Sequence, residues 1–208
     1  MLGAVPEMGA GKGFLICIEG LDKSGKTTQS HLLVKALNSR GFNAVYTSEP
    51  SSGEIGKFIE RYVLRRSWRI PVSVEALLFA ADRIDHVERE IKPMLNEGKI
   101  VVSDRYIYSS LAYQGAAGLD INWIMEINKM APKPDLAIYL DVPVEVVMRR
   151  IARKRGRSVM ETFETQRRVK EIYMALVKRG DLLPVDGNRS IEEVSADIQK
   201  IVFDRLLS

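Results

Sequence analysis

The sequence predicts an α/β domain in which helices cover both faces of a five-stranded parallel sheet. Short apolar segments recur along the chain and alternate with longer amphipathic segments. This alternation is typical of βαβ units, whose strands are parallel and buried on both faces. A glycine-rich segment directly after the first apolar run is the third indication, because phosphate-binding loops join a strand to a helix in such folds. Together these features predict a three-layer α/β/α arrangement.

The predicted strands are short, apolar and bounded by glycine, proline or polar residues. Their ranges are 14–19, 44–47, 99–103, 136–140 and 182–185. The first contains five apolar residues in succession before Glu19, which indicates burial on both faces. Ligands of parallel sheets bind beyond the carboxyl ends of the strands. We therefore expect the chemistry near Gly20, Ser48, Asp104 and Asp141.

The predicted helices lie between the strands and carry apolar residues at the helical period. In the first, 28–39, Leu33 and Leu37 fall on one side and Gly41 supplies a stop signal. The other predicted helices are 54–66, 72–96 with an interruption near Pro93, 108–116, 122–130, 144–154, 161–178 and 191–207.

Length and composition predict one domain. The chain has 208 residues, which suits a single buried core over residues 14–208. Residues 1–13 are small and glycine-rich, and we expect a flexible tail. No apolar run reaches the length of a membrane span, and the start lacks the pattern of a secretory signal. The single cysteine, Cys17, excludes an intrachain disulfide. These features predict a cytoplasmic protein without a membrane partner.

The net charge of +4 is concentrated in one place. Nine Lys and Arg against two Glu lie between Arg149 and Lys170, a local net of +7, which leaves the rest of the chain at −3. A compact basic cluster suits a polyphosphate at least as well as a duplex, so we predict small-molecule substrates and no nucleic acid. We expect the segment of about 149–162 to form a basic helical lid.

The segment Gly20–Thr27 fits the phosphate-loop pattern G-x-x-x-x-G-K-[ST]. Its glycines permit a backbone that directs successive N–H groups at phosphate oxygens. Lys26 is predicted to contact the β- and γ-phosphates as a catalytic cation, and the Thr27 hydroxyl to ligate Mg²⁺. The predicted ATP-binding residues of the loop are Gly20, Leu21, Asp22, Lys23, Ser24, Gly25, Lys26, Thr27 and Thr28.

Two charged residues end the third strand. Asp104 is well placed to hold Mg²⁺, directly or through water, as acids at strand ends do in P-loop enzymes. Arg105 would place a planar fork of donors beside the γ-phosphate, which would be unusual in a pure hydrolase. The pair therefore favours phosphoryl transfer to an acceptor.

Several segments, in their order and spacing, resemble the thymidylate kinase family. They are Glu19–Gln29, Leu78–Arg83, Ser103–Gly115, with the specific run Asp-Arg-Tyr…Ala-Tyr-Gln-Gly, and Pro134–Pro143. The resemblance covers nearly the whole chain from Phe14 onward. It implies a P-loop kinase fold, transfer of a phosphoryl group from ATP-Mg²⁺ to dTMP in dTTP biosynthesis, and a homodimer.

The resemblance also implies roles for residues of the acceptor site. Phe79 matches the aromatic that stacks on thymine. Arg83 matches the arginine that reaches the acceptor base and phosphate region, and at i, i+4 the two would share one helix face. Arg105 matches a catalytic ligand of the acceptor phosphate.

The remaining acceptor contacts follow in the same way. Asp22 matches an acid near the acceptor sugar and the metal, with a catalytic role. Ser109 and Ser110 stand where relatives place polar contacts to the base. Tyr113 matches the tyrosine that crowds the sugar 2′ position and so selects deoxyribose.

The basic segment resembles the family's lid, which carries Arg153, Lys154, Arg155 and Arg157. A mobile arginine there can offset charge on the transferring group, so Arg155 is a catalytic candidate and Arg153 an ATP ligand. Relatives differ over whether the catalytic cation lies in the phosphate loop or in the lid. Lys23 in the loop is therefore a second candidate, and the sequence leaves the choice open.

One position departs from the family pattern. Many relatives carry an arginine beside the proline of the second-strand loop, whereas Ser48-Glu49-Pro50-Ser51 has none. One expected contact to the acceptor phosphate is therefore in doubt.

Two other functions remain open at this point. A deoxynucleoside kinase shares the fold and the lid, but needs an acid poised to activate a sugar hydroxyl. A P-loop regulatory NTPase would hydrolyse its nucleotide slowly and would not respond to dTMP.

Overall fold

A computed structural model describes residues 13–64, 70–152 and 162–207. Five parallel strands form one sheet in the order β2-β3-β1-β4-β5. They are β1 Phe14–Gly20, β2 Ala44–Ser48, β3 Ile100–Asp104, β4 Leu136–Asp141 and β5 Leu183–Asp186. The predicted five-stranded parallel sheet is confirmed. The three central strands are almost completely buried because helices cover both of their faces.

Nine α-helices occur within the described ranges. They are α1 Lys26–Ser39, α2 Glu54–Ile59, α3 Val72–His86, α4 Lys92–Asn96, α5 Ile107–Ala116, α6 Ile121–Ile127, α7 Val144–Ala152, α8 Phe163–Lys178 and α9 Ile191–Leu206. None of those helices is both long and apolar enough to span a bilayer.

Alternate residues of the strands face two separate cores. On one face Leu15, Cys17 and Tyr139 pack with residues of α5 to α8. On the other face Ile16 and Ile18 pack with α1 and α9. Side chains of a strand point alternately to opposite sides, so each strand contributes to both cores. This arrangement is the three-layer α/β/α fold that the sequence predicts.

Several helix boundaries differ from the prediction; α6, for example, ends at Ile127 rather than 130, and two other differences have a clear local cause. Helix α1 begins at Lys26, two residues before the predicted start, because the left-handed Gly25 ends the loop and serves as N-cap. The helical segment 72–96 continues through Pro93. Its hydrogen bonding widens into a π-helical turn at Val87–Ile91 between α3 and α4, just before the proline that lacks an N–H.

Some predictions lie outside the described residues. They are the tail up to residue 12, the end of the helix 54–66 and most of the lid, including Arg153 and Arg155.

The strand register brings the predicted site residues together. Ile18 is level with Asp104 on β3, and Gly20 with Leu140 on β4. The loop after β1 therefore lies between the ends of β3 and β4, at the carboxyl edge of the sheet.

Candidate active site

The phosphate loop owes its shape to two glycines with different constraints. Gly20 has a φ of 151°, and a Cβ there would lie 2.8 Å from the Ser24 hydroxyl and 3.1 Å from the Leu140 carbonyl. Gly25 has a φ of 107° but open space around it, with nothing within 4 Å of a built Cβ. Gly20 is thus needed for close packing and conformation, and Gly25 for conformation beside a vacant volume.

Helix α1 presents its amino end to that volume. No side chain caps it, and its first turn has no acidic residue. Backbone N–H groups at a helix start carry a partial positive charge, which favours an anion. The loop and the helix start therefore offer backbone N–H donors beside open space, an arrangement that suits a phosphate group.

Lys26 lies in the centre of this site. Its Nζ donates to the Leu21 carbonyl at 2.7 Å, and the side chain is buried. Burial and, second to it, the charge of Arg105 together lower the pKa of Lys26 to about 8, whereas Asp104 and Asp22 act in the opposite direction. The nearby negative charge of a phosphate would stabilise this buried ammonium, whose described hydrogen-bond partner is a neutral carbonyl.

Thr27 and Asp104 meet as candidate metal ligands. The Thr27 hydroxyl donates to Asp104 Oδ2 at 2.5 Å, a bond that uses the proton of the hydroxyl and not its two lone pairs. A hydroxyl and a carboxylate are hard oxygen ligands that fit Mg²⁺. The described part of the chain has no cluster of three or more His, Cys, Asp or Glu able to hold a metal alone. Phosphates and water would supply the remaining ligands.

Arg105 links the end of β3 to the phosphate loop. Its guanidinium bonds Asp22 Oδ1 at 2.5 Å and the Ser109 hydroxyl at 3.0 Å, and it lies over the Tyr113 ring at 5.1 Å. Its φ of 73° is left-handed, a conformation that non-glycine residues seldom adopt and that clusters at functional sites. The structure therefore brings the predicted Asp22, Arg105, Ser109 and Tyr113 into one group.

Gln166 is a member of this group that the sequence analysis missed. It lies on α8, and its Nε2 donates to Asp22 Oδ2 at 3.1 Å. The two oxygens of Asp22 thus bond Gln166 and Arg105 separately. Because the two residues are 144 positions apart in the chain, no local sequence pattern predicts the contact.

Glu19 is a second residue that the sequence analysis did not select. Its fully buried carboxylate accepts from the backbone N–H of Tyr106 at 2.8 Å, the Ser109 hydroxyl at 2.6 Å and the Tyr173 hydroxyl at 2.9 Å. Burial raises the pKa of Glu19, and the bond from Ser109 and the charge of Arg105 oppose the rise. The sequence feature that could have identified Glu19 is its position as an acid at the end of an apolar strand.

Glu19 has a structural use in this arrangement. It accepts at the start of α5 from the backbone N–H of Tyr106, the N-cap, and from that of Ser109, which also bonds the Tyr106 carbonyl. Its oxygens are committed to these donors, so it is not poised to take a proton from a sugar hydroxyl. The acid that a deoxynucleoside kinase needs is therefore not offered by Glu19.

Arg83 is buried rather than open to the cleft, with 1% of its surface exposed. Nε and Nη2 donate to Glu49 Oε2 at 2.8 and 2.6 Å, and Nη1 donates to Ser110 at 3.1 Å and to Asn128 at 2.5 Å. A further bond from Nη2 to the Tyr106 carbonyl, 3.2 Å long, uses the last of its five donors. A ligand would have to replace one of these partners, so the acceptor contact of Arg83 stays a prediction.

Phe79 lies one helical turn before Arg83 on α3 and is partly exposed. Ser110 is buried, and its hydroxyl accepts from Arg83 rather than facing solvent. These predicted base contacts therefore lie on α3 and α5, elements that pack against each other.

Glu49 accounts for the departure in the second-strand loop. It is the partner of Arg83, and its Oε1 lies 3.4 Å from His86 Nδ1. The other ring nitrogen of His86 bonds the Thr47 hydroxyl at 2.6 Å. In the same loop Ser51 donates its N–H and hydroxyl to the buried Asp82, at 2.8 and 2.6 Å. Buried polar contacts from α3 thus hold this loop in place.

Lys23, the loop candidate for the catalytic cation, is exposed and has a φ of 59°. The lid candidates Arg153 and Arg155 lie outside the described residues. The structure therefore describes the loop candidate but not the lid candidates, and the identity of the transition-state cation stays a prediction.

Comparison with known proteins gives one consistent family. The thymidylate kinase family model matches residues 18–198. A probable thymidylate kinase of Pyrococcus horikoshii is 44% identical over 202 residues, covering 94% of this chain and 98% of that protein. Proteins of the same description from Thermococcus onnurineus and Pyrobaculum aerophilum are each 45% identical, over 92% and 90% of this chain and 98% and 95% of their own lengths.

Proposed function

Since this chain belongs to the thymidylate kinase family, it phosphorylates dTMP to dTDP with ATP as donor in dTTP biosynthesis, and we propose the residues that do so. The observation that supports the assignment best is the ion pair of Arg105 and Asp22. It lies between the phosphate loop and the end of β3, beside the Thr27–Asp104 pair. Arg105 is a cation that can bind a phosphate, and it lies next to the loop proposed to bind the phosphates of ATP. This position suits an acceptor that itself carries a phosphate.

The donor half of the site is proposed to consist of the loop Gly20–Thr28. Loop N–H groups and Lys26 hold the phosphates of ATP, and Thr27 and Asp104 would hold Mg²⁺. When bound, Mg²⁺ supplies positive charge that offsets charge on the phosphoryl oxygens during transfer. Lys26 adds a cation from the protein, buried and therefore weakly screened.

The acceptor half is proposed to be built by α3 and α5. Phe79 stacks on the base, Ser110 contacts it, and Arg105 holds the phosphate in line with ATP. Arg83 contributes through the partners that it orders, or by exchanging one of them for the nucleotide. Phosphoryl transfer needs chiefly positioning and charge neutralisation, and these residues supply both.

The segment of about 149–162 is proposed to close over both nucleotides. Closure would exclude water, so that dTMP rather than water receives the phosphoryl group. Arg153 would then contact ATP, and Arg155 or Lys23 would offset the developing charge. We also propose that the enzyme works in the cytoplasm, in keeping with its use of ATP.

An acceptor comparison tests the function. With ATP-Mg²⁺, dTMP should be phosphorylated and thymidine should not. Preference for thymidine would indicate a deoxynucleoside kinase, and nucleotide hydrolysis that ignores dTMP would indicate a regulatory NTPase.

Tyr113 is expected to select the sugar. Its ring is buried beside Arg105, and burial, with the nearby Asp22, raises the pKa of its hydroxyl. A ribose hydroxyl against this ring would be crowded and desolvated, at a cost of about 1–3 kcal/mol, or roughly 10- to 100-fold in kcat/KM. Tyr113→Ala should narrow the gap between dTMP and its ribose counterpart and also lower turnover.

Tyr113→Phe is the matched control, because it keeps the ring and should keep most of the discrimination. An unchanged ratio of the two kcat/KM values in Tyr113→Ala would assign Tyr113 to packing. Sugar selection would then come from elsewhere, with Asp22 as the next candidate.

We propose that the enzyme is a homodimer joined through α2 and α3. These neighbouring helices expose Phe58 on one and Val74 and Leu77 on the other, with Leu77 49% exposed. Apolar side chains on adjacent helices can pack on the same patch of a second copy around a two-fold axis.

Leu77→Glu is expected to shift the protein towards monomers, since it would place a charge in the apolar contact. Sedimentation velocity across a range of protein concentrations measures the effect. Met130→Glu, which changes an exposed apolar residue elsewhere, is the control. A Leu77→Glu protein that sediments like the wild type would contradict this interface.

A further inference from the structure

Helix α7 touches the phosphate loop through one side chain. Arg150 Nη1 donates to the carbonyl of Lys23 at 3.0 Å and to that of Ser24 at 3.4 Å. The arginine and its acceptors are 126 and 127 residues apart, so the contact exists only in the folded protein. Helix α7 ends at Ala152, so its last residues begin the segment of about 149–162 that is proposed as the lid.

The two carbonyls belong to peptide groups that shape the loop. The carbonyl of Ser24 shares a planar peptide with the N–H of Gly25, so a bond to the oxygen also fixes the direction of the N–H. The Ser24 N–H bonds the Leu21 carbonyl at 3.2 Å, whereas the Gly25 N–H has no protein acceptor among the described residues. The space beside Gly25 is open, since nothing lies within 4 Å of a Cβ built there. A cation on the oxygen of this peptide also polarises it and strengthens the N–H as a donor.

The preceding peptide is held in an unfavourable conformation. Lys23 has a φ of 59°, in the left-handed region. Such a conformation persists only when its surroundings hold it. Arg150 helps to hold this conformation, because it donates a hydrogen bond to the carbonyl of Lys23 itself.

We propose that Arg150 is a positioning residue that holds the phosphate loop in the shape that receives the phosphates of ATP. It acts through the backbone of Lys23 and Ser24. Because it lies on the helix that leads into the lid, it also ties the position of that helix to the shape of the loop. This inference rests on the proposed donor site, and it adds a residue that the loop motif does not contain.

Equilibrium binding of ATP in the absence of dTMP tests the proposal. Arg150→Ala should raise the ATP Kd roughly 5- to 20-fold, because a charge-assisted hydrogen bond is lost at a partly exposed site. In the full reaction the KM for ATP should rise with it, while the KM for dTMP stays within about twofold of wild type. Arg150→Lys, which keeps a donor and the charge, should recover part of the affinity.

Arg168→Ala is the matched control. Arg168 belongs to the same basic cluster. Among the described residues it forms a surface ion pair with Glu164 and no bond to the loop, so its loss removes equal charge without touching the loop. An ATP Kd of Arg150→Ala within twofold of wild type would overturn the proposal, and so would an equal loss in Arg168→Ala. Wild-type protein that binds ATP but does not phosphorylate dTMP would instead contradict the proposed acceptor, which the binding measurement keeps distinct.

Discussion

Lys26→Ala is expected to lower kcat/KM for phosphoryl transfer by at least about 100-fold, the typical loss when a charge-stabilising group is removed from a buried site. The Lys26 ammonium is buried, and within the described ranges its one hydrogen bond is to the neutral Leu21 carbonyl. It is therefore available to the β- and γ-phosphates, where negative charge is concentrated. Steady-state kinetics with saturating dTMP measure the loss.

Lys35→Ala is the control for this variant. Lys35 is exposed on the same helix and should be dispensable. Activity of Lys26→Ala within threefold of wild type would contradict the phosphate-loop assignment.

The pH dependence of ATP binding examines the same lysine without a mutation. The pKa of Lys26 is lowered to about 8, chiefly by burial. The ammonium therefore persists below pH 8 and is lost above it, whereas an ordinary lysine keeps its charge to beyond pH 10. The ATP Kd should be level between about pH 6.5 and 7.5 and then rise by up to about tenfold per pH unit. A flat profile up to pH 9.5 would contradict this.

Arg105→Ala is expected to impair the use of dTMP far more than the binding of ATP. A phosphate deprived of a bidentate arginine loses about 1.5–3 kcal/mol, roughly 10- to 100-fold in kcat/KM. The variant also leaves Asp22 without its cation, and Gln166 as its neutral partner does not offset the repulsion between Asp22 and the acceptor phosphate.

The measurement for Arg105 is the KM for each substrate together with the ATP Kd. Arg105→Lys is the informative companion, because it keeps the charge and loses the planar fork. It should recover part of the loss for dTMP. Collapse of ATP affinity with an unchanged KM for dTMP would assign Arg105 to the donor site instead.

The elements that the sequence identified are those with a local physical signature. Each strand is a short apolar run, and burial of such a run on both faces is what a parallel sheet requires. The phosphate loop is equally local. Gly20, Gly25 and Lys26 lie in one continuous segment, where spacing alone fixes which backbone groups and which cation converge. Asp104 and Arg105 could be assigned because they follow a recognisable strand.

The tertiary structure decided the partners of those residues. Glu49 pairs with Arg83 because Thr47 and Ser51, on either side of Glu49, both bond residues of α3. Gln166 meets Asp22 because α8 packs against α5 and α7. The carboxyl group of Glu19 was visible in the sequence, but its role at the start of α5 was not.

The physical reason is the range of the interactions. Hydrophobic periodicity and loop conformation depend on neighbours within a few residues, so a sequence alone determined the strands, the phosphate loop and the class of chemistry at its end. A buried polar group requires a hydrogen-bond partner, but the sequence around that group does not identify the partner. The strand order β2-β3-β1-β4-β5 and the packing of α7 and α8 determined those partners, which include the contact of Arg150 with the loop.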